Sequence, residues 1–160
     1  LSLAHYIENS FVYSVDISDI PIEVATRNSE NLLLQEKVKF LKGSLLEPLK
    51  SEKLEKRVDI LVSNPPYIPS KDIDDLQVEV SKYEPRLALD GGVDGLDFYK
   101  EIISKSEEYL SDNGVIAFEI GYDQGEDIRD LLIQQNIFKD IEIIKDLSGL
   151  DRVVIAVRSC

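Results

Sequence analysis

Two adjacent prolines stop an apolar run near the middle of the chain. In Val58-Asp59-Ile60-Leu61-Val62-Ser63-Asn64-Pro65-Pro66-Tyr67, the stretch Ile60-Leu61-Val62 is short, apolar and rich in β-branched side chains. That is the pattern of a buried strand. Proline has no N–H to give to a β-ladder, and it pushes the residue before it out of the α region. The strand is therefore expected to end at Asn64, with that side chain and nearby backbone carbonyls turned into open space. In open α/β sheets this carboxyl edge is where ligands bind. A plainer reading fits the same residues: a polyproline-like turn with Asn as a cap and Tyr as packing.

The rest of the chain alternates strands with helices. Residues 1–7 read as the last turns of an amphipathic helix that enters without a cap. Its His5 is the only histidine and has no evident partner to orient it, so it reads as a surface residue. Residues 11–17 read as a strand ending in Asp16. An acidic residue there is placed to accept hydrogen bonds from a nucleoside's ribose hydroxyls. Helix capping is the competing use, but Asp19 followed by Pro21 already makes a good helix start and leaves Asp16 spare. Helical spacing follows over residues 21–34, then a strand over 37–43 with a loop at Gly43-Ser44-Leu45, and a charged helix or loop over 50–57. Residues 68–97 form a long irregular segment, and a loop of that length in a small domain is usually functional. A helix over 98–110 closes at Asp112-Asn113-Gly114. A strand over 115–121, a helix over 124–135 and strands over 138–145 and 152–157 complete the pattern. The short link between the last two implies an antiparallel pair. The sum is an α/β fold, one domain over residues 1–160, with a largely parallel doubly wound sheet and a terminal hairpin.

Composition narrows the function classes. With 31 Asp+Glu against 18 Lys+Arg, the formal net charge is −13, which opposes attraction to phosphate backbones. Nucleic acid is therefore a disfavoured partner. Cys, His and carboxylates show no metal-ligand spacing, so no metal is expected. Cys160 is the single cysteine, which rules out an internal disulfide and fits a reducing cytoplasm. No apolar run approaches the roughly 20 residues that span a bilayer, and residues 1–6 do not resemble a signal peptide. The expected setting is cytoplasmic, away from membranes.

Asn64-Pro65-Pro66-Tyr67, placed at a strand end, resembles the signature of amino-group methyltransferases that use S-adenosylmethionine. An amide or aromatic-amine nitrogen is a poor nucleophile because its lone pair is delocalised. A site can hold such a nitrogen with hydrogen-bond acceptors and aim it at a methyl group without a strong base. The resemblance implies that the Asn64 side-chain oxygen and the Pro65 carbonyl accept the two N–H protons. It further implies that Pro65 and Pro66 fix those acceptors and that Tyr67 offers a flat face to a planar group.

Further blocks sharpen the resemblance. Asp59 to Pro69, then Tyr83-Glu84-Pro85-Arg86-Leu87-Ala88-Leu89, Asp90-Gly91-Gly92-Val93-Asp94-Gly95-Leu96 and Glu119-Ile120-Gly121-Tyr122-Asp123-Gln124-Gly125 run in the order seen in one family. The chain resembles the HemK/PrmC protein-(glutamine) methyltransferases, which methylate a glutamine side-chain amide in peptide-chain release factors, the proteins of translation termination. That resemblance implies a Rossmann-like class I S-adenosylmethionine-dependent fold. It implies catalytic and substrate-binding roles for Asn64, Pro65 and Tyr67, with Pro66 beside them. It also implies cofactor contacts from Asp16, Ile17, Ser44, Leu45 and Asn64. Ser44 stands where many relatives carry an acidic residue near the adenine, so the adenine contact departs from the family pattern.

The family's glycine-rich loop, its first strand and its upstream helical substrate-binding domain have no counterpart in these residues. The expectation is an N-terminally truncated catalytic domain that is inactive alone, with two strand edges left unpaired. Two other readings stand beside glutamine methylation. One is methylation of an exocyclic amine of DNA or RNA, which poses the same lone-pair problem but calls for a basic face. The other is a non-catalytic methyltransferase-like interaction module.

Overall fold

Val12-Tyr13-Ser14-Val15-Asp16 alternates in the manner of a strand and forms β1 (Val12–Asp16) of a computed structural model that describes residues 1–77 and 83–160. The chain divides into two units, Leu1–Lys53 and Leu54–Cys160. In the first, helix α1 (Ser2–Tyr6) precedes β1, and helix α2 (Asp19–Asn31) crosses over to β2 (Val38–Lys42). The two strands are parallel, in register from Val12↔Val38 to Asp16↔Lys42. A strand–helix–strand crossover of this kind is what a parallel pair requires. Ala4, Leu34 and Val38 are buried together, with Leu1, Val12 and Phe40 packed against them. Helix α2 starts one residue earlier than Asp19 predicts. Ser18 is its N-cap, in extended conformation and without a side-chain capping bond, and Asp19 lies in the first turn, where its charge suits the helix dipole. The charged stretch that follows forms a 3-10 turn, Glu47–Glu52.

The second unit carries a four-stranded sheet in the order β3-β4-β6-β5, built from β3 (Val58–Ser63), β4 (Leu110–Glu119), β5 (Phe138–Lys145) and β6 (Asp151–Arg158). Helix α3 (Asp97–Tyr109) leads into β4, and helix α4 (Gly125–Gln134) lies between β4 and β5. β3 and β4 are parallel, whereas β4–β6 and β6–β5 are antiparallel, as the short terminal link predicts. The hairpin turn is held by Asp146, whose Oδ1 accepts the backbone N–H groups of Ser148 at 2.8 Å and Leu150 at 3.1 Å. Those bonds hold the Asp146 carboxyl below the ordinary aspartate range. Here the α/β reading holds, with the sheet in two pieces, and among the described residues no ladder joins β1 to β3.

Three local expectations are revised. The turn residues Asp112-Asn113-Gly114 do not precede β4 but lie inside it. They loop out where Val58 pairs with Leu110 and Ile60 with Val115, and Asn113 takes a positive φ of 61°, which asparagine tolerates. Within β3 only Leu61 is buried, while Ile60 is 42% and Val62 56% exposed. The run is thus half-exposed, and among the described residues β3 pairs on one side only. Of the irregular segment, residues 78–82 lie outside the described residues. The rest holds two 3-10 turns, Ile73–Asp75 and Arg86–Ala88, and an isolated bridge between Ile68 and Asp90.

The core of this unit sits on one face of the sheet. Ile116 and Phe118 of β4 pair across the ladder with Ala156 and Val154 of β6, and all four are fully buried. Tyr99 and Ile102 of α3 and Ile128 and Leu132 of α4 are buried with them. The Phe118 and Tyr99 rings meet edge to face at 5.2 Å, a geometry that adds roughly 0.5–1.5 kcal/mol to area burial. Truncating Phe118 to alanine is therefore expected to destabilise the protein by about 3–5 kcal/mol. Equilibrium urea unfolding measures this, and a loss near zero would show that the ring is not a core anchor.

Candidate functional site

The β3–β4 ladder continues to Ser63↔Phe118, and the two prolines then release the chain from it. Asn64 is exposed, Pro65 is buried, and Pro66 and Tyr67 are half-buried. Among the described residues the Asn64 side chain has no hydrogen-bond partner, so its carbonyl oxygen is available to a ligand. Asn64, Pro65, Tyr67, Ile68, Glu84, Ala88 and Leu89 line a cleft of about 160 Å³. Asn64, Pro65 and Tyr67 thus line one cleft. Pro66 belongs to the same segment but does not line the cleft.

The far end of this segment is tied down by the loop that carries two of the quoted sequence blocks. The Ile68 N–H donates to the Leu89 carbonyl at 3.0 Å, and the Gly91 N–H donates to the Ile68 carbonyl at 2.8 Å. One residue pair further, the Ser70 N–H donates to the Gly92 carbonyl at 2.8 Å. Such close approach demands glycine. A Cβ on Gly91 would lie 2.8 Å from the Tyr67 Cα, and one on Gly95 would run into the Tyr67 carbonyl oxygen. Gly95 also has a φ of +75°, which L side chains rarely adopt.

Asp90 organises the same loop. Its Oδ1 accepts the Ser70 hydroxyl at 2.5 Å and the Gly92 N–H at 3.1 Å, and the Arg86 Nε lies 3.4 Å from Oδ2. The Ser70 bond, the Gly92 bond and the Arg86 guanidinium together hold the Asp90 carboxyl below its ordinary value, against a smaller upward push from burial. Asp94 is lowered in the same manner by Lys100, whose Nζ is 2.6 Å away, and by the Leu96 N–H. Beneath the cleft, Tyr99 donates its hydroxyl to the Glu119 carbonyl at 2.8 Å. Burial pushes this phenol far above the ordinary tyrosine range, with Tyr67 and Glu119 adding to the effect. It therefore serves as a fixed donor, not as an acid or base.

The nucleoside-binding candidates lie in the first unit. Asp16 and Ile17 end β1, and Ser44 and Leu45 follow β2. The parallel register Asp16↔Lys42 and a 3.0 Å bond from the Gly43 N–H to the Asp16 carbonyl bring these four residues to one strand edge. Asp16 is not wholly spare, because its Oδ1 accepts the Ser18 N–H at 2.8 Å. That bond fixes the carboxylate at the start of α2 and leaves Oδ2 without a partner among the described residues. Ser44 is half-buried, and Leu45 takes a φ of 49°.

Two residues escaped assignment from sequence. Glu84 lines the cleft with Asn64, and Gln124 donates to the Tyr67 carbonyl. Both lie in blocks that the sequence marks out. Their roles depend on contacts far along the chain, which spacing does not reveal. Among the described residues no group of three or more His, Cys, Asp or Glu is arranged to hold a metal ion.

An α/β sheet with this mixed order is the Rossmann-like methyltransferase fold. A methyltransferase from Pyrococcus furiosus superposes with a TM-score of 0.70 at 18% identity, over 99% of this chain and 68% of that one. A release-factor-specific protein-(glutamine-N5) methyltransferase from Alicyclobacillus acidocaldarius gives 0.50 at 22% identity, over 99% and 85%. Sequence carries the assignment further. The chain is 46% identical over 154 residues to the release factor glutamine methyltransferase of Clostridium botulinum, covering 96% of this chain and 53% of that protein. It is 42% identical over 158 residues to the one from Moorella thermoacetica, covering 99% and 54%. No family model matches the chain. It spans about half the length of the curated relatives it matches, and over that half it is similar to the release factor glutamine methyltransferases.

Asp90 yields a pH test. Its lowered folded value means that its contribution to stability is present above 3.8, the ordinary aspartate value, and is lost as pH falls through the folded value. Asp90→Asn should lower Tm at neutral pH, and the deficit should shrink as the pH is taken below 3.8. Melting curves of both proteins across pH measure this, and a deficit independent of pH would remove the carboxylate from the loop's support.

Proposed function

We propose that the protein carrying this chain transfers a methyl group from S-adenosylmethionine to the side-chain amide nitrogen of a glutamine in a peptide-chain release factor. The observation that carries this reading is the cleft at the end of β3, where the Asn64 side chain stands free beside Pro65 and Tyr67. The names of the curated relatives support it. None of the described lining residues is a strong base, and the proposed chemistry needs none. The Asn64 Oδ1 and the Pro65 carbonyl accept the two amide N–H groups. The planar amide lies against the Tyr67 ring, and its nitrogen is thereby held in one orientation. Catalysis of this kind is mostly positioning.

The residues at the β1 edge fit the cofactor. Asp16 keeps Oδ2 free at a carboxylate already oriented by the Ser18 N–H, which suits a ribose diol. Ile17, which is 50% exposed, offers apolar surface beside it. Ser44 and the Leu45 backbone offer polar contacts to a base. When bound, S-adenosylmethionine supplies the methyl group on a sulfonium. No helix among the described residues is long and apolar enough to cross a membrane, and the proposed setting is the cytoplasm, with a release factor as partner.

In the full-length protein, Asn64→Ala should lower turnover on a release factor by about 10²-fold, the scale of a misplaced reacting group, with little change in cofactor affinity. Asp16→Ala should do the reverse. Methyl incorporation into the release factor and calorimetric titration of cofactor separate the two. Equal effects on both quantities would overturn the role assignments. Methylation of DNA or RNA in place of a release factor would overturn the substrate.

A further inference from the structure

Gln124 is a buried polar residue, 6% exposed, that the proposed chemistry does not use. It is the N-cap residue of α4, yet its side chain points back toward the cleft segment. Its Oε1 accepts the Gly121 N–H at 3.0 Å, and its Nε2 donates to the Tyr67 carbonyl at 2.9 Å and to the Gly95 carbonyl at 3.3 Å. One amide thus ties together the end of β4, the last residue of the Asn-Pro-Pro-Tyr segment and the glycine loop. Only this orientation of the amide satisfies all three partners, since the reverse would set its oxygen against two carbonyls.

The tie matters because of where it falls. Neither Pro65 nor Pro66 has an N–H, so the segment cannot hold itself by a ladder. It is anchored upstream by the Ser63↔Phe118 pair and downstream at Tyr67 and Ile68. The Ile68 anchors are backbone bonds to Leu89 and Gly91, and the Tyr67 anchor is the Gln124 side chain. Gly95 has no room for a side chain there, since a Cβ would meet the Tyr67 carbonyl oxygen and come within 2.7 Å of Gln124 Nε2.

We infer that Gln124 is a positioning residue for the Asn64 and Pro65 acceptors, acting through the Tyr67 carbonyl. The inference rests on the proposed reaction for its kinetic consequence, and on the structure alone for the tie itself. Two variants of the full-length protein test it. Gln124→Glu keeps the acceptor for the Gly121 N–H but turns lone pairs toward two carbonyls. Gln124→Met keeps the length and removes all three bonds, and it serves should the first variant fail to fold. Each is examined well below its Tm, with circular dichroism confirming a folded chain.

Turnover on a release factor should fall by about 10-fold or more, while cofactor affinity stays within about 2-fold. Amide exchange at Ile68 and Gly91 should accelerate by about 10-fold as the segment loosens. Adding either substitution to Asn64→Ala should cost little beyond Asn64→Ala alone, because residues that act through one another are not additive. Unchanged exchange at Ile68 and Gly91 would overturn the tie, and losses that multiply in the double variant would overturn the positioning role. If the wild-type protein methylates no release-factor glutamine, the proposed reaction falls, and exchange at Ile68 and Gly91 still decides whether Gln124 fixes the segment.

Discussion

Two missing N–H groups shape the second unit. A strand that ends in Pro65-Pro66 cannot continue its ladder, and every residue between Ser63 and Ile68 must be placed by something else. Leaving buried backbone groups unpaired costs about 1–3 kcal/mol each, so the fold supplies partners from outside. Leu89, Gly91 and Gly92 bring backbone groups alongside Ile68 and Ser70, Gln124 reaches the Tyr67 carbonyl, and glycines stand wherever a Cβ would block the approach. What results is a segment whose own backbone makes few internal bonds and whose position is nevertheless fixed. That combination leaves the Asn64 side chain without a partner among the described residues, in a cleft that Pro65 and Tyr67 also line.

The same economy shows in the core. Ile116, Phe118, Val154 and Ala156 bury one face of the β4–β6 ladder beneath aromatic and aliphatic side chains of α3 and α4. The other face carries Ile60 and Val62, both exposed. Because β4 is paired on both sides, the end of the strand next to the cleft is rigid. Tyr99 adds a bond from α3 to the Glu119 carbonyl at that end. The cleft is therefore built next to a well-packed part of the unit.

Much of this was legible in the sequence. Strand identity followed from short apolar runs bounded by turn residues, and the antiparallel hairpin followed from the brevity of its link. The departure of the chain from its ladder after Ser63 was legible because proline's missing donor is a local property. What was not legible depended on distance along the chain. The half-exposure of Ile60 and Val62 reflects which neighbours β3 has, and apolar character alone cannot report that. Asn113 and Gly114 read as a turn before a strand, whereas pairing on either side draws them into β4 as a bulge. Asp16 looked free because capping was assigned to Asp19, but a two-residue reach to the Ser18 N–H is as local as a cap and competes with it. Gln124 was invisible because its partners Tyr67 and Gly95 lie 57 and 29 residues away.

Charge bears on what such a cleft can accept. Glu84 stands in the lining with Asn64, in a chain whose formal net charge is −13. Two like charges about 4 Å apart repel by roughly 1 kcal/mol in water and roughly 4 kcal/mol at the dielectric of a protein surface. A phosphate brought beside Glu84 would pay that repulsion, with no basic group among the described lining residues to offset it. A neutral carboxamide pays nothing of the kind, and it presents two N–H donors to a lining that offers oxygen acceptors. Between an amide and a base on a phosphate backbone, both of which carry a delocalised nitrogen lone pair, it is therefore the surrounding charge that separates them. The acceptors proposed at Asn64 and Pro65 could serve either nitrogen, and a carboxylate at Glu84 disfavours the one that arrives with a phosphate beside it.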